Sequence, residues 1–464
     1  MPHRGGDDDD GARASSSSSS SPSRADRRQR WAVYGAFVAV GVGTLCPWNV
    51  FITERAYFAR RFAASDAPAR AFVRDAFEGV FANAYAGANL LGLVLCARRV
   101  DGGNARARAL AAPLSVVGCA VGTSAIVACA STVSGDAVFV HTILVIVIVG
   151  FATAFAQGEG FAVASYLPPT YAQAVMSGQA ASGVAVSLVA MITTAGANGA
   201  SNTQAMVYFF IAACVLFACA WATWYVEKIP LYQRLLGEAS SATASTRGLL
   251  DVDANDDSEG DDDASEDVEL NPWRDEHSCE RASSSSVDVG ECTKYRLAVL
   301  STFAVTLSVF PAVTSAIQSA HNVFGNLWSP TLFLIFNVGD LFGRHCATVY
   351  PKTPPRGDTL LRLAFARCVF APLLASCDVS TTTSWRIPRL FTNEFWPIAF
   401  ILALAISNGW IASVGMMYGP SRAPLLARPR EGVLLALALV GGIFIGSSCS
   451  VLLLAACTSS SSSS

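Results

Sequence analysis

The chain has 464 residues, 52% hydrophobic and only 14% charged, with a mean hydropathy of +0.42. A soluble domain carries about 25% charge, so this balance indicates a membrane protein. The net charge of -3 comes largely from Asp7 to Asp10 and one internal acidic stretch, and no basic face is left for a nucleic-acid partner. The thirteen cysteines form no CxxC pair and fall mostly in apolar segments. They read as small hydrophobes, and neither a metal nor a cofactor is expected.

Residues 1 to 30 combine the aspartates, serines from Ser15 to Ser21, and Arg24, Arg27, Arg28 and Arg30, the composition of a disordered cytoplasmic tail with a basic flank. No cleavable signal peptide is visible. From Trp31 the sequence predicts eleven apolar spans of about 20 residues, the length needed to cross the hydrocarbon layer. They fall near 31–51, 76–97, 109–130, 137–166, 171–195, 203–226, 294–318, 327–350, 359–377, 395–419 and 432–456. An acidic, serine-rich segment, 227–293, divides them into a six-helix bundle (31–226) and a five-helix bundle (294–456). It reads as a disordered cytoplasmic loop, and 457–464 is a serine tail.

Basic residues are retained on the cytoplasmic side. An inside N-terminus places 13 Lys and Arg of the short loops in the cytoplasm and 7 outside, so the C-terminus is expected outside. The first external loop, with five arginines, runs against the trend.

Within the spans the polar residues are few. Pro47-Trp48-Asn49 interrupts the first helix, and a proline there frees a backbone group that only protein or water can satisfy. Trp48 reads equally as a belt residue or a ligand contact, while Asn49 favours a cavity. The fourth span carries Gln157 and Glu159 among glycines. Glu159 is either a neutral hydrogen-bonded acid or a proton site coupled to transport. The fifth opens Met176-Ser177-Gly178-Gln179, a close-packing surface. The seventh is bent at Phe310-Pro311, the ninth holds Arg367, and the tenth holds Asn408. In the eighth, Asn337, Asp340 and Arg344 share one face, with Asp340 and Arg344 one turn apart. A charge at bilayer depth costs roughly 3 kcal/mol or more, so the pair must face protein or water. It is either a structural ion pair or the lining of a path for a polar solute.

Taken together, Pro47 to Thr53, Gln157-Gly158, Met176 to Gln179, Phe310 to Thr314, Phe336 to Arg344, Arg367 to Pro372 and Ser407-Asn408-Gly409 resemble the equilibrative nucleoside transporter family. Seven motifs in register make the resemblance specific. It implies an all-α polytopic membrane protein of about 11 helices in a 6+5, major-facilitator-like pseudo-two-fold arrangement. It further implies movement of nucleosides by alternating access, with nucleobases as a further substrate class. By the same resemblance Trp48 lies against the base or ribose and Gln157 bonds the base. Asp340 with Arg344 holds or gates the sugar hydroxyls, beside Asn49 and Asn337. Glu159, Phe310, Arg367 and Asn408 are the gating or coupling candidates. The chain departs from familiar members at Ile52, Gly339 and Glu159, and the last leaves facilitative and proton-coupled transport both open. The expected partners are a nucleoside, a proton as second candidate, and the lipid bilayer. The expected location is the plasma membrane, with an endomembrane as the alternative; oligomeric state is not legible.

An intramembrane aspartyl protease would also show Gly339-Asp340, but it needs a second deep aspartate, and the spans contain none. A receptor would not be expected to place polar breaks in both halves.

Overall fold

The computed structural model describes residues 24–62, 68–100, 110–130, 132–195, 201–255, 289–349, 351, 353–379 and 387–457. The first half folds into α1 (Arg24–Thr53), α2 (Arg55–Phe62), α3 (Pro68–Arg99), α4 (Ala111–Cys129), α5 (Gly135–Ala164), α6 (Pro169–Ala195) and α7 (Asn202–Val226), followed by α8 (Pro230–Asn255). The second half contains α9 (Val289–Val309), α10 (Ala312–Ala316), α11 (Trp328–Val349), α12 (Gly357–Ala366), α13 (Phe370–Ala375), α14 (Phe395–Tyr418) and α15 (Arg428–Cys457). Serine hydroxyls cap two of the starts: Ser134 accepts from Ala137 N and Ser201 from Gln204 N.

Among the described residues nine helices are long and apolar enough to cross a membrane. They carry large apolar side chains on their outer faces, among them Ile126, Leu144, Phe210 and Trp221, which a surrounding lipid phase accounts for. The other two expected spans correspond to α11 and to α12 with α13. In α11, Asn337, Asp340, Arg344 and His345 dilute the apolar run, and its buried stripe is Leu332, Phe336, Gly339, Asp340, Gly343, Arg344 and Ala347. The ninth span is broken by a 3-10 turn, Arg367–Val369, where Pro372 withholds a helical hydrogen bond.

Three regions differ from the sequence expectation. Helix α1 starts at Arg24, inside the expected tail. The first external loop carries α2 and the beginning of α3. Pro230–Asn255 of the expected loop is the helix α8, because its apolar residues have a partner surface: Tyr232 and Leu236 are buried in the main core, with Leu231 and Leu235 packed against it. Residues 1–23, 256–288 and 458–464, including most of the acidic segment and both serine runs, lie outside the described residues.

Cross-helix contacts fix the directions. Tyr34 meets Gln173, Gly41 meets Gly178 and Asn49 meets Ser182, so α1 and α6 run parallel. Arg344 meets Met176 and Asn337 meets Ser187, so α11 runs antiparallel to α6. Helices α1 and α3 to α7 pack among themselves, as do α9 and α11 to α15. The two groups meet where α6 lies against α11 and α14, and where α15 lies against α3 and α5.

Several helix pairs approach at backbone distance, among them α1 with α6 and α11 with α14. A Cβ on Gly41 or Gly178 would overlap the carbonyl of Val175 or Val38, and one on Gly343 or Gly409 that of Ile406 or Asp340. Only glycine lets α1 and α6, or α11 and α14, come so near.

Candidate functional site: a buried polar seam between the helix groups

The glycine contact of α11 with α14 brings Asp340 beside Asn408. Asp340 and Arg344 are each 4% exposed. The Nε and Nη2 of Arg344 both lie 2.8 Å from Asp340 Oδ2, and its Nη1 donates to Met176 O of α6 at 2.5 Å. Met176 O sits in a helix and still accepts this second donor, so the guanidinium links the two groups directly. Gln173 Nε2 donates to Arg344 O at 3.3 Å and to Ser177 Oγ at 2.6 Å, while its Oε1 accepts from Tyr34 at 2.9 Å.

On the other side, Asn408 Nδ2 donates to Asp340 Oδ1 at 2.7 Å. Asn408 Oδ1 lies 2.8 Å from Thr306 Oγ1 of α9, which in turn accepts from Arg367 Nη2 at 2.7 Å. Arg367 also donates to Thr302 O, Leu404 O and Ser407 Oγ. Burying a guanidinium is costly unless its donors are matched, and these partners tie the break after α12 to α9 and α14. Asp340 thus lies between one guanidinium in contact and a second two hydrogen-bonded groups away.

The remaining expected residues sit around this seam. Asn337, half-buried, donates to Ser187 Oγ at 2.8 Å and faces Gly183 of α6. Phe310 stacks on Phe336 at 3.9 Å and 14°. Trp48 stacks on Tyr85 of α3 at 4.8 Å, and Asn49 Nδ2 reaches Ser182 Oγ at 3.3 Å. Gln157 is 5% exposed, and its Nε2 is buried with no hydrogen-bond partner among the described residues. Such a donor is costly unless something else accepts from it. Glu159 is half-buried on α5. No contact joins Trp48 or Gln157 to Asp340; they belong to the first helix group, and Asp340 to the second.

Sequence reading missed Gln173, Thr306, Tyr85 and Asn89. Asn89 donates to Gly150 O and Thr153 Oγ1, and Tyr85 OH lies 3.3 Å from Thr153 Oγ1. Single polar residues in apolar runs, without a charge or a proline, carry no spacing signal; only Asn89 and Gln173 could have been flagged as amides at bilayer depth.

Outside the spans, the carboxyl groups of Glu54 and Glu394 are displaced in opposite directions. Burial pushes Glu54, just past α1, up to about 7. Glu394, just before α14, is held down to about 2 by the side chain and backbone N–H of His321, with Ser319 adding a bond.

A helical bundle with lipid-facing apolar spans and a charged seam buried between two groups is a multi-span membrane transporter, and its fold is that of the major facilitator superfamily. A proton:xylose symporter of that superfamily, bound to 6-bromo-6-deoxy-D-glucose, superposes with a TM-score of 0.54 at 12% identity, over 90% of this chain and 86% of that one. A D-xylose-proton symporter gives 0.51 at 13% identity over 92% and 89%. The chain belongs to the nucleoside transporter family, whose model matches residues 143–455. Equilibrative nucleoside transporter 1 of Homo sapiens is 28% identical over 450 residues, 89% of this chain and 95% of the relative. Equilibrative nucleoside transporter 3 of Rattus norvegicus is 26% identical over 448 residues (90% and 88%), and equilibrative nucleotide transporter 1 of Arabidopsis thaliana 25% over 441 (89% and 84%). These relatives are named as transporters, not enzymes.

Proposed function

We propose that this protein carries nucleosides across a membrane by facilitative alternating access, with the solute seated at the seam between α6 and α11. The observation that carries this reading is the Asp340, Arg344 and Met176 contact, a charged group that belongs to one helix group and bonds the backbone of the other. A carboxylate offers about four acceptor positions, and the protein fills three of them at Asp340, two from Arg344 and one from Asn408. The one left on Oδ1 can accept from a ribose hydroxyl, and the guanidinium can donate to it. Trp48 offers a π-face to the base, and the unpartnered Gln157 amide a donor to its polar edge.

Asn49, Asn337 and Phe310 line the approach in this reading, and Arg367 with Asn408 holds the carboxylate in place. A neutral nucleoside needs no counter-ion, which favours facilitative movement. Proton coupling through Glu159 is the second reading, because that acid is only half-buried and can exchange a proton. The basic residues favour a cytoplasmic N-terminus, and we place the protein at the plasma membrane.

The test is radiolabelled uridine and adenosine flux in proteoliposomes at two external pH values. Facilitative transport gives nearly equal uptake at both, whereas a rise at acidic pH that a protonophore abolishes would establish coupling. Asp340→Ala and Arg344→Ala should abolish uptake with the protein still in the membrane; normal uptake in either would remove the site assignment.

A further inference from the structure

We infer that Thr306 is a positioning residue for Asp340, passing the orienting effect of Arg367 through Asn408 to the carboxylate. Thr306 is 1% exposed on α9, with Oγ1 2.7 Å from Arg367 Nη2, 2.8 Å from Asn408 Oδ1 and 2.9 Å from Thr302 O. Donor and acceptor chemistry fixes the bonds made by Arg367 and Asp340, and leaves the Thr306 proton two acceptors, Asn408 Oδ1 and Thr302 O. A guanidinium only donates, so the Thr306 oxygen accepts from Arg367. A carboxylate only accepts, so the end of the Asn408 amide that faces Asp340 is its NH2, and the end that faces Thr306 is its carbonyl oxygen. That oxygen can only accept, and the one Thr306 proton serves it, because Thr302 O already receives Arg367 Nη1 at 2.7 Å. The order is Arg367 to Thr306 to Asn408 to Asp340, each group donating to the next. Successive bonds aligned in this way polarise one another.

The consequence concerns the one open acceptor position of Asp340. Arg344 occupies Oδ2, so the side from which Asn408 approaches Oδ1 determines where a solute hydroxyl can bond. Without the Thr306 proton the Asn408 carbonyl oxygen loses its donor, and the amide, still turned with its NH2 to the carboxylate, is no longer held at a fixed angle to it. Thr306 touches no solute in this arrangement and acts through Asn408.

The inference rests on the reading that Asp340 meets the sugar hydroxyls, and the experiment separates the two. Uptake of uridine and of 2′,3′-dideoxyuridine, which lacks those hydroxyls, is measured in proteoliposomes for the full chain and its variants. Thr306→Val, close in shape, should raise KM for uridine about tenfold, the size of one lost charge-assisted hydrogen bond, while KM for the dideoxy compound moves less than about twofold. Thr306→Ser should return uridine KM to within about twofold of the parent. Thr306→Cys, a weak donor, should fall between, and it stands in if the valine variant does not accumulate. Equal loss of maximal rate for both compounds at unchanged KM would reduce Thr306 to a packing residue and overturn the inference. Asp340→Asn is the control for the underlying reading: if it affects both compounds equally, the sugar assignment fails and the inference with it. If it discriminates and Thr306→Val does not, only the relay fails.

Discussion

Arg344 does two things that a point charge cannot do together. It presents two N–H groups to Asp340 Oδ2 and a third to Met176 O, using the planar fork of the guanidinium. Arg344→Lys keeps the charge but cannot span both acceptors, so uridine uptake should fall at least about tenfold at undiminished protein level, by the loss of one charge-assisted bond. Glu54 makes a different prediction. Its carboxyl is harder to ionise in the folded chain, at about 7 against an ordinary 4.5. Its ionisation therefore opposes folding: the cost is absent below about pH 4.5, grows between there and 7, and is complete above 7. Glu54→Gln should raise the melting temperature in detergent at pH 8 and leave it unchanged near pH 4.5. The gain is on the order of 2 kcal/mol, from about 1.4 kcal/mol per pKa unit discounted for relaxation. An equal shift at both pH values would assign the effect to packing. At this scale Asp340 and Arg344 were legible in the sequence, because a charge amid apolar residues demands a partner. Thr306 was not, since a hydroxyl in a membrane helix satisfies itself locally as often as across helices.

Among the elements, the spans with uninterrupted apolar runs were readable to within a few residues, whereas the ends depended on tertiary contacts. Helix α8 shows why: its Leu and Tyr positions are too few to bury a core alone and become helical against the surface they cover. Its first turn is pinned by Gln29 Oε1, which accepts from Leu231 N at 3.1 Å. The break between α12 and α13 was hidden as well, because Arg367 needs acceptors from three directions and the straight helix would not aim it at them. The glycine contacts separate two kinds of seam. At Gly41, Gly178, Gly343 and Gly409 the obstacle to a Cβ is backbone, while at Gly183 it is the end of the Asn337 side chain, which can rotate. Gly178→Ala and Gly409→Ala should abolish folded protein, scored by monodisperse elution in detergent. Gly183→Ala should fold and alter transport kinetics only.

Across the whole molecule, the two helix groups touch through Arg344 and Met176, through Asn337 and Ser187, and through Gly432 of α15 against Phe161 O of α5. The Arg344 and Gly432 contacts lie toward the end that carries Arg24 and Arg422, and the Asn337 contact lies farther along α6. Among the described residues, α1 and α9 have no comparable packing against each other. With the N-terminus in the cytoplasm the end that carries Arg24 and Arg422 is the inner one, and Ser319→Cys in a cysteine-reduced background should react with an impermeant maleimide applied to intact cells. Ser421→Cys should react only after permeabilisation; the reverse pattern would invert the topology.

The bond from Arg344 to a backbone carbonyl of α6 also bears on how fast the carrier can turn round. Parting the groups at that end strips the guanidinium of an acceptor worth about 1.5 to 3 kcal/mol. On the proposed reading a bound solute sets a hydroxyl oxygen at the guanidinium, where an empty site offers only water that must first be ordered. Loaded carriers should therefore reorient several-fold faster than empty ones, so that labelled uridine enters vesicles preloaded with unlabelled uridine faster than it enters empty vesicles, an advantage that a solute without hydroxyls would not confer.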